Sequence, residues 1–168
     1  MGNANYIVGR KRIMSEQIID KINMKKFLIK CIDKLNGEDV NQKTNKEFLS
    51  KVQSSDLGAS NIRSMANVAL NCDCYEEFRI FMQYKKAKID GWKIENDEGK
   101  ALADMVISDM DEIFKMCDEN DREALKWIGQ YFGYFYWKKA AIEGEKEVGN
   151  RNNNYSNYGD RKQNYNRG

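Results

Sequence analysis

Histidine and proline are both absent from the 168 residues. Without histidine the chain lacks the side chain that most often serves as general base near neutral pH and as metal ligand. Histidine-based triads and the H-E-x-x-H metalloprotease helix are excluded with it. Without proline nothing breaks a helical hydrogen-bond ladder by ring clash, so long helices are favoured and Pro-rich linkers are ruled out. No apolar run approaches the roughly 20 residues needed to cross a bilayer. The N-terminal stretch Met1 to Tyr6 lacks the apolar core of a secretory signal and the hydroxyl residue of a myristoylation motif. A soluble cytoplasmic protein is expected.

Cysteine is also sparse. Of Cys31, Cys72, Cys74 and Cys117 only Cys72 and Cys74 are close in sequence. A C-x-C pair without a second pair or a histidine is a weak zinc signal. Buried or half-buried free thiols in a reducing compartment are the expectation. A Gly-rich phosphate loop and a dinucleotide fingerprint are missing as well. Asp109, Asp111 and Glu112 form an acidic cluster on a helix, which reads as a solvated face. No catalytic residue, metal or cofactor is expected.

Charge is nearly balanced, with 28 basic and 26 acidic residues and a net of +2. The segment from Gly149 onward carries Arg151, Arg161, Lys162 and Arg167 against Asp160, so the rest of the chain is slightly acidic. Any contact with nucleic acid must therefore come from a local patch, not a whole-molecule field.

The length suits one domain with its own core, and the apolar spacing is helical throughout. Residues 1 to 11 read as a loose arm and 12 to 147 as a helical bundle. Ile18, Ile19, Ile22, Phe27, Leu28, Cys31, Ile32 and Leu35 form a first stripe, ended by Asn36 and Gly37. A short helix follows over 44 to 53, with Phe48, Leu49 and Val52 inward. Ser60 reads as an N-cap, opening a helix to Asn71 with Ile62, Met65, Ala66, Val68 and Ala69 on its apolar side. From Cys74 to Lys88, Phe78, Phe81, Met82 and the following Ile89 lie on one side, and Arg79, Gln83 and Lys86 on another. Asp90 to Lys93 is a turn, and Asn96 to Gly99 caps a helix that reaches Met116. Asp118 to Asp121 starts a last helix over 122 to 142, with Leu125, Ile128, Phe132 and Phe135 as its core stripe. Gly129 and Gly133 there permit close approach of a neighbouring helix. The tail from 148 to 168 has only Tyr155, Tyr158 and Tyr165 as large apolar groups, too few to offset ordering entropy, so it reads as disordered. The fold class is all-α: a helical bundle with a disordered polar tail.

Three sets of residues point toward nucleic acid. Arg63 sits one turn into a helix, where amides and guanidinium can share a phosphate. Arg79, Lys85, Lys86 and Lys88, with Lys93 just beyond, lie in a stretch with no acid between Arg79 and Lys88. Tyr131, Tyr134, Tyr136 and Trp137 with Lys138 and Lys139 combine aromatics with cations, as base-stacking surfaces do. The bland alternatives are a solvated charged face for the cations and core or subunit interface for the aromatics. The helix holds more aromatics than one stripe accommodates, so some should face a partner.

Over residues 57 to 143 the chain resembles the small helical subunit of type III-A CRISPR effector complexes, the Csm type. The resemblance rests on Ser60-Asn61-Ile62-Arg63 as a helix start, the Phe78-Arg79 pair and Tyr84 followed four residues later by Lys88. The final helix after Arg122, ending in aromatics and Lys138-Lys139, completes it. It implies a compact bundle of about five helices, a non-catalytic subunit that stacks in several copies, packs against other effector subunits and contacts the backbone of target RNA beside the guide. It makes Arg63, Arg79 and Lys88 the leading RNA contacts; Lys85, Lys86, Lys93, Lys138 and Lys139 are added on local charge. The long Lys-rich region before Asp56, the Gly91 to Gly99 segment and the Tyr/Asn/Arg tail depart from the family pattern. A type III-B small subunit and a helical protein-interaction adaptor without RNA binding are the alternatives.

Overall fold

The computed structural model describes residues 20–35 and 46–164; at 46, 49 and 145–164 it describes the backbone alone. It divides into a unit of residues 1–44 and a unit of residues 45–168. In the first unit, α1 covers residues 20–35. Met24, Leu28, Cys31, Ile32 and Leu35 are buried along it, while Ile22 is exposed. Ile22 was expected in this stripe, but six residues before Leu28 is well off the helical repeat, and Met24 takes the place. Ile18, Ile19 and the Asn36-Gly37 stop lie outside the described residues, as does the arm of residues 1 to 11.

The described residues of the second unit form five α-helices: α2 (Lys46–Ser54), α3 (Ala59–Asn71), α4 (Tyr75–Lys88), α5 (Leu102–Met116) and α6 (Asp121–Asn164). A 3-10 turn (Asp90–Lys93) follows α4. Among the described residues there is no strand, only an isolated antiparallel bridge between Glu95 and Ala101. The all-α bundle is therefore as the sequence implies.

Helix α6 is the axis. Leu125, Ile128, Phe132 and Phe135 are buried as expected, joined by Ala124, Trp127 and Tyr131. Helix α3 runs antiparallel along it. The α3 start meets Glu143, whose Oε1 accepts from the Ala59 amide at 3.3 Å. The α3 end places the Leu70 side chain over Gly129, where a Cβ would lie 3.1 Å from it. Gly133, expected to serve the same close approach, has nothing within 4 Å of its would-be Cβ, so only one glycine of the pair packs.

Helix α4 is fastened at its start in the same manner, the Tyr75 amide donating to Asp121 Oδ1 at 2.8 Å. Two carboxylates of α6 thus cap two other helices, placing negative charge at their positive ends. Gly58, in extended backbone, occupies the N-cap of α3 and makes no side-chain cap bond. Ser60 lies inside the helix, so the expected Ser60 cap is corrected: Glu143 from across the bundle serves this end. Asn120 does cap α6, its Oδ1 accepting from the Glu123 amide at 2.9 Å.

The turn after α4 is part of the core. Trp92 is fully buried, edge-on to Phe135 at 6.4 Å. Gly91 makes this possible: an added Cβ would sit 2.6 Å from Leu57 Cβ and 2.8 Å from Ser55 Oγ. The Gly91 amide donates to Asp56 Oδ1 at 2.8 Å. Asn96 shapes the following turn, accepting from the amides of Glu98 and Lys100. It does not cap α5, whose N-cap is Ala101.

The backbone of α6 is helical to Asn164. Residues 165 to 168 lie outside the described residues.

Candidate nucleic-acid interface

The eight cations singled out in the sequence fall into distinct environments. Helix α4 turns one flank to α5, and there Arg79 Nε lies 3.4 Å from Asp111 Oδ1. Two helical turns further, Lys86 Nζ bonds both oxygens of Asp104 at 2.7 Å. Lys93 Nζ is 2.7 Å from Asp90 Oδ1, and this bond holds the Asp90 carboxyl below the usual carboxylate range. Surface pairs like these are weak, because water and salt screen them. Their importance is electrostatic: a carboxylate beside each cation cancels the field that would draw a phosphate.

Lys139 is a different case. It was grouped with the surface cations, but it is only 2% exposed. Its Nζ donates to the Val52 carbonyl at 2.9 Å and lies 4.0 Å from Glu143 Oε1. It lies four residues after Phe135 and seven after Phe132, which puts it on the core stripe. Its ammonium thus serves the C-terminal end of α2, where carbonyls lack helical donors. Lys138 is half-buried and already interacts with its surroundings.

Arg63, Lys85 and Lys88 remain. Among the described residues none has a carboxylate partner, and each lies against a ring. The Arg63 guanidinium is 5.5 Å from the centre of Tyr136, across the α3–α6 contact. Lys85 Nζ is 5.3 Å from the Phe81 ring centre and Lys88 Nζ is 6.0 Å from that of Tyr84. These are cation–π distances. The two rings of α4 are themselves 6.3 Å apart. The i,i+4 step from aromatic to lysine is the local signal for this arrangement; Phe81 reads from sequence only as core.

The α6 aromatics divide as the crowding implied. Tyr131, Phe132 and Phe135 are buried, whereas Trp137 is 62% exposed and tilted against Tyr134 at 5.5 Å.

The acidic cluster of α5 is bound up with tyrosines. Tyr75 Oη donates to Asp111 and Tyr131 Oη to Asp109 Oδ2. Burial first, and then the Asp111 bond, push the Tyr75 hydroxyl well above the usual tyrosine range. Glu112 is exposed. Among the described residues no three Cys, Asp or Glu side chains are grouped to hold a metal. No disulfide joins the four cysteines. Burial, then Glu123 and Asp118, pushes the Cys117 thiol up to about 11. No described helix is long and apolar enough to cross a membrane.

No protein-family model, curated protein or solved structure matches the chain.

Proposed function

We propose that this chain is a non-catalytic, RNA-contacting structural subunit of a cytoplasmic type III-A CRISPR ribonucleoprotein of the Csm type. It acts in antiviral defence by packing against itself and the other effector subunits. The observation that supports this reading most is the set of three cations, Arg63, Lys85 and Lys88, held beside rings and, among the described residues, not beside carboxylates. Arg63 and Lys88 are also positions at which the chain resembles the family. Such groups supply phosphate contacts that position an RNA without reading its sequence. Arg79, the third such position, lies against Asp111 and is a weaker contact on this reading. A type III-B subunit would have the same role.

The helical adaptor is favoured by a different observation, the exposed Trp137 with Tyr134 at its side. Such a patch can bind protein without any RNA. Purification of the tagged chain from its native host, with sequencing of bound RNA and mass spectrometry of bound proteins, separates the two. CRISPR guide RNA with the backbone and large effector subunits is the expected result. Partner proteins without guide RNA would leave the adaptor.

A further inference from the structure

Tyr84 and Lys85 lie three and four residues after Phe81, and Lys88 lies four and three residues after them, so the four share one flank of α4. Tyr84 is 54% exposed, and Ile80, one turn before it, is 67% exposed. Lys88 Nζ lies over the Tyr84 ring, 6.0 Å from its centre, and more than half of Tyr84 stays open to solvent. Phe81 backs Tyr84 at an interplanar angle of 34°. The nearest acid on this flank is Glu77, one turn before Phe81, and its Oε2 accepts from the Asp73 amide at 2.8 Å. The last two turns of the flank therefore combine an open ring, a second ring behind it and two lysines with no described carboxylate partner.

This combination fits one ligand chemistry. A duplex presents phosphates but keeps its bases stacked on one another, and lysines alone would suffice to hold it. An unpaired nucleotide presents a flat π-face together with flanking phosphates. Exposed aromatic plus adjacent cations is the surface that takes both. We infer that the Phe81–Lys88 flank of α4 is a stacking platform for an unpaired base of single-stranded RNA, with Tyr84 under the base and Lys85 and Lys88 on the neighbouring phosphates. The inference rests on the RNA-contacting reading and narrows it to unpaired nucleotides. Sequence preference is not expected, because every base has a π-face.

The test uses the full chain and three probes: single-stranded oligouridylate, the same strand paired to its complement, and an abasic strand of equal length and charge. Wild-type protein should bind oligouridylate about tenfold more tightly than either other probe. Tyr84→Leu should remove that tenfold advantage while leaving the salt dependence of binding unchanged; Tyr84→Phe should keep it. Lys88→Gln should lower the slope of log affinity against log salt by about 0.7. Equal wild-type affinity for the abasic strand and oligouridylate would overturn the platform and leave phosphate contact intact. No wild-type affinity for any of the three at low salt would overturn the RNA reading itself. The abasic comparison needs no variant, so it stands even if Tyr84→Leu fails to fold.

Discussion

Lys85 and Lys86 are neighbours in the chain and carry the same group, yet they meet opposite surroundings. On the α5 side of α4, Lys86 and Arg79 face Asp104 and Asp111. On the other flank, Lys85 and Lys88 lie over Phe81 and Tyr84. One side is electrically closed and ties two helices together. The other keeps positive charge beside open aromatic surface. A run of lysines is therefore not one feature: on a helix, a step of one residue is a turn of about 100°, and it decides whether a cation meets an acid or a ring.

The division depends on α5 being held against α4 by the turn that buries Trp92. Gly91→Ala should break it most severely. The new Cβ meets Leu57 Cβ, which cannot rotate away, and the loss should be about 1–3 kcal/mol in chemical denaturation. Lys139→Met comes next. It keeps the buried stem but removes the bond to the Val52 carbonyl, which retains Ser55 Oγ as a donor at 2.8 Å. About 1 kcal/mol of stability should be lost, with RNA affinity unchanged, because this lysine is inside the bundle. Arg79→Gln should cost less, at most about 1 kcal/mol, since the pair with Asp111 is part-exposed.

The smallest expected effect is on pH dependence at the end of α5. The Cys117 thiol ionises near 11 in the folded chain and near 9.0 when unperturbed. Between those values the unfolded chain has lost its proton while the folded chain keeps it. Stability contributed by this group is thus complete below pH 9 and is lost as pH rises through 11. Below pH 9 the folded thiol is therefore less ionised than the unfolded one. Alkylation of Cys117, followed by peptide mass spectrometry, should be slower in native protein than in unfolded protein. Equal rates would place the thiol in water.

Much of the bundle was legible because burial follows the helical repeat. The stripes of α3 and α6 were read from spacing alone, and so was the common side of Arg79, Gln83 and Lys86 on α4. Spacing also contained the position of Lys139, since Ile128, Phe132, Phe135 and Lys139 continue one stripe. Residue type hid it, because a lysine beside a lysine reads as surface. Trp92 was hidden for another reason: a Gly-Trp pair in a turn has no periodicity, and its burial depends on Leu57 and Phe135, far away in sequence. The α3 cap was hidden because Glu143 comes from 84 residues later. At the candidate interface, sequence identified the cations but not their partners. Which carboxylate or ring each one meets is settled by neighbouring helices, as for Arg63 and Lys86, or by the exposure of its own flank, as for Lys85 and Lys88.

The most direct test of the two-sided helix is the salt dependence of oligouridylate binding for wild type, Lys86→Gln and Lys88→Gln. Lys88→Gln should lower the slope by about 0.7 and Lys86→Gln should leave it unchanged. Equal loss of slope in both variants, or a loss confined to Lys86→Gln, would contradict the division between the two flanks.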